Sequence, residues 1–166
     1  MVTEFGACLT EGPCTQEITQ VAQVADENLA GWAYWQFKTF EDLTTSAGTG
    51  SEGFYNSDGS LQEYKVKALG RPYMMYTQGT LSAMKYDDSA NTFHAEFTLG
   101  ESTAKSVAFL SQDYYFNCGI NASFTVNGNP EPLDYNYTDG FLSFTLDTRF
   151  AVGSPVTLDV SEAACH

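Results

Sequence analysis

The amino-terminal part of this chain contains a single strand–helix–strand pattern. A β-type run at residues 2–5 is followed by Pro13 and Thr15, which we expect to open and cap a helix. Apolar residues then recur near the helical period, at Ile18, Val21, Val24, Ala25 and Leu29. Gly31 is a C-terminal stop signal, and the aromatic run 32–37 has the length of a second strand. The pattern therefore predicts one βαβ unit of a parallel sheet.

One βαβ unit does not make a stable parallel sheet, because buried parallel strands need neighbours on both edges and cover on both faces. The segment adds a long loop, predicted at residues 42–59 by their Thr, Ser and Gly content, and one further helix. The capping-box pair Ser60 and Glu63 opens that helix, and Gly70 stops it. Its predicted buried stripe is Leu61, Tyr64, Ala68 and Leu69. Residues 1–75 are therefore expected to be the end of a larger α/β domain, and the chain a fragment.

From about residue 77 the periodicity changes to two, as in half-buried β-strands. Apolar and polar residues alternate in the runs 93–99, 142–146 and 156–160. Two turn signals, Asn127-Gly128 and Asp139-Gly140, lie between these runs. Short strands at this spacing predict an antiparallel β-sandwich in residues 76–166.

The composition excludes two classes of partner. Of 166 residues, 21 are acidic and 7 are basic, which gives a formal net charge of −14. Nucleic acids and anionic lipid headgroups both attract clustered cations, which this chain lacks. No stretch of about 18 apolar residues occurs, so we expect no transmembrane segment. No cofactor or metal is implied, since the four cysteines have no metal-type Cys-x-x-Cys spacing.

The cysteines and two glycosylation sequons favour an oxidising compartment. The favoured disulfides are Cys8–Cys14 and Cys118–Cys165, although four cysteines allow three connectivities. The acceptor sequences are Asn121-Ala122-Ser123 and Asn136-Tyr137-Thr138. Residues 1–6 have neither the basic nor the apolar region of a signal peptide. We expect a secreted or lysosomal protein whose signal peptide lies outside this chain.

Two residues carry the candidate chemistry. Glu4 lies at the carboxyl end of the first predicted strand, where catalytic groups gather in barrels of parallel strands. Trp35 lies at the end of the next strand and offers a flat face for stacking on a sugar ring. This pair fits a retaining glycosidase, in which one carboxylate attacks the anomeric carbon and a second acid lies about 5 Å away. A lone glutamate at a strand end is more often a surface or salt-bridged group.

Several ordered motifs resemble a known enzyme family. Residues 3–7 and 31–38, which read TEFGA and GWAYWQFK, resemble the last two strands of a glycoside hydrolase family 5 barrel. The segments Gly50–Tyr55, Asp58–Leu61 and especially Leu69-Gly70-Arg71-Pro72-Tyr73 resemble the endoglycoceramidase-like branch of that family. The resemblance implies an α+β fragment, formed by the tail of a (β/α)8 TIM barrel followed by an antiparallel β-sandwich.

The resemblance also implies an activity and its residues. Glu4 matches the catalytic nucleophile and Trp35 the aromatic platform of a retaining β-glycosidase, whose substrate is a glycosphingolipid or another β-glucoside. Gln36 and Lys38 are placed to reach substrate hydroxyls. The family's acid/base glutamate and strands one to six are absent, so we expect the isolated chain to be inactive. Its expected partner is the missing barrel part of the same enzyme.

A second hypothesis is a non-catalytic β-sandwich module that binds glycan or lipid. The run Tyr114-Tyr115-Phe116 could contact a lipid, but packing inside the sandwich or against the barrel is the favoured interpretation. His94 is expected to be exposed without a catalytic role, and Glu52 to be a solvated loop charge. Asp87-Asp88 lacks the ligand spacing of a calcium loop.

Overall fold

The computed structural model describes residues 1–6, 8, 11–37 and 52–165. The chain divides into two compact units, Met1–Gly70 and Arg71–His166. The first contains two helices, α1 (Pro13–Glu27) and α2 (Glu63–Leu69). The second is built from β-strands. That the first unit is the end of a TIM barrel stays a prediction.

Both helices begin at residues other than those predicted from the sequence. Helix α1 is capped by Gly12 rather than by Thr15, because the fixed φ of Pro13 suits the first helical position. Its last residue, Glu27, is followed by Asn28 and Leu29, so Gly31 is not the stop. Helix α2 begins at Glu63 without a side-chain cap.

The predicted capping box is wrong because Ser60 has another partner. Its hydroxyl donates a 2.6 Å hydrogen bond to Asp58 Oδ1, and its backbone N–H donates to the same oxygen at 2.9 Å. These bonds close a turn before α2. The predicted helix end at Gly70 is confirmed, since this glycine is the C-cap residue.

The helices bury the predicted stripes only in part: Ile18 and Ala25 are buried as predicted, whereas Leu61 is 40% exposed. Helix α1 buries Ile18, Ala22, Ala25 and Asp26. Val24 and Leu29, which the periodicity placed inside, are 59% and 40% exposed. In α2, Ala68 is buried as predicted. Among the described residues of the first unit, the apolar core comprises Cys8, Ile18 and Ala68 with partly buried residues around them.

The second unit contains nine named strands in two antiparallel sheets. The strands are β1 (Tyr73–Tyr76), β2 (Gly79–Asp87), β3 (Thr92–Leu99), β4 (Ser106–Phe109), β5 (Ile120–Val126), β6 (Asn129–Glu131), β7 (Tyr135–Thr138), β8 (Phe141–Phe144) and β9 (Pro155–Glu162). One sheet has the order β1-β4-β8-β7 and the other the order β2-β3-β9-β5-β6. This arrangement confirms the predicted antiparallel β-sandwich.

One continuous core lies between these two sheets. The alternating residues of β3 that the sequence places inside are all buried: Phe93, Ala95, Phe97 and Leu99. The same holds for Leu142, Phe144 and Leu146 and for Val156, Leu158 and Val160. Tyr115 and Phe116 belong to this core and Tyr114 packs against it, which confirms the packing interpretation of that run.

The two turn signals are confirmed. Asn127 and Gly128 have φ values of 53° and 75° and form the two-residue connection between β5 and β6. Asp139 and Gly140, with 53° and 79°, connect β7 to β8 in the same way. Asn-Gly and Asp-Gly favour this connection because both residues must adopt positive φ.

The structure also contains both favoured disulfides. Cys8 is bonded to Cys14 in the first unit, and Cys118 to Cys165 in the second. Arg71, from the motif Leu69–Tyr73, is buried with its guanidinium 5.5 Å from the centroid of the Tyr86 ring. This motif therefore helps to begin the sandwich.

Candidate active site

Glu4 and Trp35 come from two backbone segments that run in parallel. Val2 pairs with Trp32, and Gly6 pairs with Trp35, so Glu4 lies between the two pairs. The Trp35 amide donates a 2.9 Å hydrogen bond to the Phe5 carbonyl, and the Val2 amide donates to Gly31 at the same distance. With α1 between them, these segments form the predicted strand–helix–strand arrangement, although the pairing is confined to isolated bridges.

The two candidate side chains lie away from the buried side of this arrangement. The Phe5 ring packs edge-on against Trp32 and Tyr34, with centroid distances of 5.7 and 5.6 Å. Successive side chains of extended backbone point to opposite sides, so Glu4 points away from Phe5 and Trp35 away from Tyr34. Both are exposed, Trp35 by 43%. The arrangement therefore presents a carboxylate and an indole on neighbouring parallel segments, with Glu4 two residues before the bridge that pairs Gly6 with Trp35.

Gly6 is what allows the two segments to approach. Its φ of 153° lies in a region that favours glycine. A Cβ at this position would clash with the Trp35 carbonyl oxygen and lie 3.0 Å from the Tyr34 ring. The glycine two residues after Glu4 therefore fixes how closely the carboxylate-bearing segment approaches Trp35.

A third segment lies beside the second one. The Gln36 amide donates to the Glu52 carbonyl at 3.2 Å, and the Phe54 amide donates to the Phe37 carbonyl at 3.1 Å. Gln36 is half-buried, and its peptide bond to Trp35 is cis. Lys38 lies outside the described residues, so its predicted role stays a prediction.

Tyr34 and Glu52 are electrostatically linked. Burial, followed by the neighbouring Tyr64 and the charge of Glu52, raises the pKa of Tyr34 to about 12. Tyr34 is therefore a neutral hydroxyl at all physiological pH values. Glu52 is half-buried rather than a fully solvated loop charge, which corrects the sequence-based expectation.

Sequence reasoning missed a buried lysine in α2. Lys65 is fully buried and its Nζ donates a 2.9 Å hydrogen bond to the Gly53 carbonyl. Burial lowers the pKa of this ammonium group to about 8. A signal was available, because Lys65 lies four residues after Leu61 and three before Ala68, on the predicted apolar stripe. The hydrogen bond from Lys65 to the Gly53 carbonyl holds the segment after Glu52 against α2.

His94 has a structural environment on the second unit. Its Nδ1 lies 2.7 Å from Asp159 Oδ1 and its Nε2 lies 3.3 Å from Glu96 Oε1, with the side chain 39% exposed. Partial burial opposes the charged imidazole, but the hydrogen bonds and charges of Asp159 and Glu96 outweigh this and raise the pKa of His94. Its partners are surface carboxylates of the sheet, and His94 is half-buried rather than fully exposed. That it has no catalytic role stays a prediction.

Within the described residues, no group of three or more His, Cys, Asp or Glu side chains could hold a metal ion. No helix in that part of the chain is long and apolar enough to cross a membrane.

Comparison with solved structures gives a consistent set of neighbours. Three crystal structures of sterylglucosidase 1 from Cryptococcus neoformans, with hit 1, with tris and with hit 9, match with TM-scores of 0.67, 0.63 and 0.63. Each is 12% identical to this chain, and the matches cover 91%, 90% and 92% of it. No protein-family model and no curated protein sequence matches the chain.

The structural similarity shows the fold of this chain and how much of each neighbour's length the chain corresponds to. Because the matches include nine-tenths of the chain, they confirm the predicted fold class, an α+β fragment with an antiparallel sandwich. The chain spans about a quarter of the length of these structures, 24% to 25%. Its structural neighbours are thus glycosidases several times longer than the chain itself.

Proposed function

We propose that this chain is the C-terminal part of a retaining β-glycosidase that hydrolyses O-glycosyl bonds of β-linked glycolipids. One observation carries the proposal. Glu4 and Trp35 are exposed on adjacent parallel segments, near the bridge that pairs Gly6 with Trp35. In a barrel of parallel strands the catalytic residues lie at the carboxyl ends of the strands, and this general rule supports the proposal.

In the proposed reaction Glu4 is the nucleophile. Its carboxylate attacks the anomeric carbon, and the bond from that carbon to the leaving oxygen breaks. An acid from the rest of the enzyme protonates that oxygen and then takes a proton from the water that hydrolyses the glycosyl-enzyme. The indole of Trp35 stacks against the sugar ring, and Gln36 and Lys38 bind its hydroxyls.

The proposal requires more protein than this chain contains. A retaining mechanism needs two carboxyl groups about 5 Å apart, and the motif that carries the second is absent. The exposed apolar side chains Val24 and Phe37 support an additional partner for the first unit, since each is more than half exposed. We infer that strands one to six of the same enzyme supply it, and that this chain alone is inactive.

The proposed substrate class joins a sugar to a lipid. The motifs resemble an endoglycoceramidase branch, whereas the structural neighbours are named sterylglucosidases. Glycosylceramides and steryl glucosides share a β-linked sugar and an apolar aglycone, so we propose that chemistry rather than one compound. The two disulfides support a secreted or lysosomal location.

The test is the variant Glu4→Gln in the whole enzyme, with Glu52→Gln as the matched control. Glutamine keeps the size of the side chain and removes its nucleophilic charge. We expect kcat on a β-glucosyl lipid to fall on the order of a thousandfold or more for Glu4→Gln, with the KM little changed. Glu52→Gln should retain most of the activity. Unchanged activity of Glu4→Gln would reject the nucleophile and favour the non-catalytic module.

A further inference from the structure

The outer face of the four-stranded sheet carries a line of three aromatic rings, which we call the aromatic row. Tyr73, Phe109 and Phe141 lie opposite one another on β1, β4 and β8. The Phe109 ring centroid is 5.7 Å from that of Tyr73 and 5.6 Å from that of Phe141. Tyr73 and Phe141 are 40% and 41% exposed. Contiguous exposed apolar surface of this kind marks a place that another group covers.

A glycosylation sequon lies on the same face. Thr138 is opposite Phe141, and Asn136 is opposite Ser143, on the edge strand β7. Since the intervening Leu142 is fully buried in the core, these four residues share the outer face. Asn136 is exposed, and its Nδ2 donates a 3.2 Å hydrogen bond to the Thr138 hydroxyl. The acceptor amide therefore stands next to one end of the aromatic row.

We propose that Asn136 carries an N-linked glycan whose first sugars lie across the aromatic row. The C–H face of a pyranose ring and the methyl group of its N-acetyl substituent both pack well on aromatic rings. Neighbouring strands are about 4.8 Å apart, so the row extends roughly 10 Å from Phe141 to Tyr73. The edge strand β7 is one further spacing from Phe141, so two linked sugars attached there reach Phe141 and Phe109, and a third reaches Tyr73.

The attachment needs a lipid-linked oligosaccharide as the donor. The amide nitrogen of Asn136 forms a bond to the anomeric carbon of that donor and loses one proton. The bond from this carbon to the pyrophosphate oxygen breaks, and the lipid pyrophosphate leaves. The two disulfides are consistent with passage through a compartment in which this transfer takes place.

The second sequon provides a matched control on the other sheet. Asn121 is opposite Ser161 on β5 and β9, and it borders a shallow depression of about 350 Å³. Polar residues line much of that depression, among them Thr92, His94, Ser123 and Asp159. A glycan at Asn121 would therefore lie beside mostly polar residues, whereas one at Asn136 lies beside the aromatic row.

The first experiment uses the protein as purified from its natural source. Peptide:N-glycosidase converts a glycosylated asparagine to aspartate, so peptide mapping reveals occupancy at Asn136. Hydroxyl-radical footprinting of the folded protein then compares Phe109 and Phe141 before and after the enzyme treatment. We expect their oxidation to rise on the order of twofold or more when the glycan is removed. An unoccupied Asn136, or unchanged oxidation after glycan removal, would overturn the proposal.

Variants secreted from a eukaryotic host give an independent readout. Asn136→Gln and Thr138→Ala should lose the glycan and bind an apolar fluorophore more strongly, whereas Thr138→Ser keeps the sequon and should behave as wild type. Asn121→Gln should leave fluorophore binding unchanged. Adding Phe141→Ser to Asn136→Gln should reverse the increase. If the fully glycosylated protein dimerises or binds phosphatidylcholine vesicles through this face, the proposal is wrong.

Discussion

The two units differ in how much of their apolar surface is buried within the unit itself. In the second unit both inner sheet faces contribute to one core, which includes fully buried rings such as Phe93, Phe97 and Phe116. Within the described part of the first unit the buried cluster comprises Cys8, Ile18 and Ala68, while Val24, Trp35 and Phe37 are exposed. A sandwich closes its core from its own two sheets, whereas two parallel segments with two helices need further elements to cover them. This difference agrees with our proposal that the first unit belongs to a larger domain.

The largest effect should appear when the two units are produced separately. We expect residues 71–166 to unfold in one cooperative transition, because their core needs no further partner. Residues 1–70 should show no cooperative transition, because their buried core is too small to offset the loss of conformational entropy. Circular dichroism during thermal unfolding measures both. Cooperative unfolding of residues 1–70 alone would abolish the contrast between the units.

Truncating a core side chain in each unit should reveal the same difference between the two cores. Phe97→Ala removes a ring that is 1% exposed and packs near Phe144, so it should cost about 3–5 kcal/mol of unfolding free energy. Ile18→Ala, in the smaller core of the first unit, should have a lesser effect on the whole enzyme. Urea unfolding of both variants provides the comparison. Equal costs would mean that the two cores are equally well packed.

Lys65 gives the first unit a distinctive pH dependence. Its folded pKa of about 8 is below that of an unfolded lysine, so the unfolded state binds more protons between these values. Stability should therefore rise as the pH increases from 8 towards 10, by an amount on the order of 1–3 kcal/mol. Lys65→Met should abolish this rise.

The exposed neighbour Lys67 is the matched control for that measurement. Thermal unfolding of Lys67→Met should follow the wild-type pH dependence. Wild type and variant are compared at each pH, because Tyr34 and Tyr64 have raised pKa values in the folded state and lower the stability of both proteins as the pH approaches 10. The same pH dependence in Lys65→Met and wild type from pH 8 to 10 would contradict the role of Lys65.

The smallest effect is expected at His94 in the second unit. Asp159 and Glu96 raise its folded pKa, so its stabilising contribution is present below the unfolded value near 6.5 and is lost as the pH rises through the folded value. The site is solvent-accessible, so His94→Gln should cost less than about 1 kcal/mol at pH 5.5. It should cost almost nothing at pH 8.5. A cost that does not change with pH would assign His94 to packing alone.

The sandwich was more predictable from the sequence than the first unit. The alternation around Phe97 and Leu158 and the Asn127-Gly128 turn are local signals with one structural solution. The proximity of Glu4 and Trp35 follows from parallel pairing, and the structure shows the pairing of their segments. Each of these signals depends only on residues that are adjacent in the sequence or paired on neighbouring strands.

The features that the sequence did not predict depend either on contacts between residues far apart in the chain or on local hydrogen bonds that compete with the predicted ones. Asp58 takes the hydroxyl that would have capped α2 at Ser60. Burial of Lys65 is tolerated because the Gly53 carbonyl accepts its hydrogen bond, and sequence periodicity does not reveal that contact. The exposure of Val24 likewise contradicts its helical pattern, since the pattern gives a position on the helix and does not show which element covers it.

The most direct test of the central claim is covalent trapping in the whole enzyme. A 2-deoxy-2-fluoro-β-glucoside with a good leaving group should form a stable glycosyl-enzyme, which peptide mass spectrometry can locate. We predict that the label is on Glu4. Labelling of a different carboxylate in an active enzyme would contradict Glu4 as the nucleophile, and with it the proposed role of this chain.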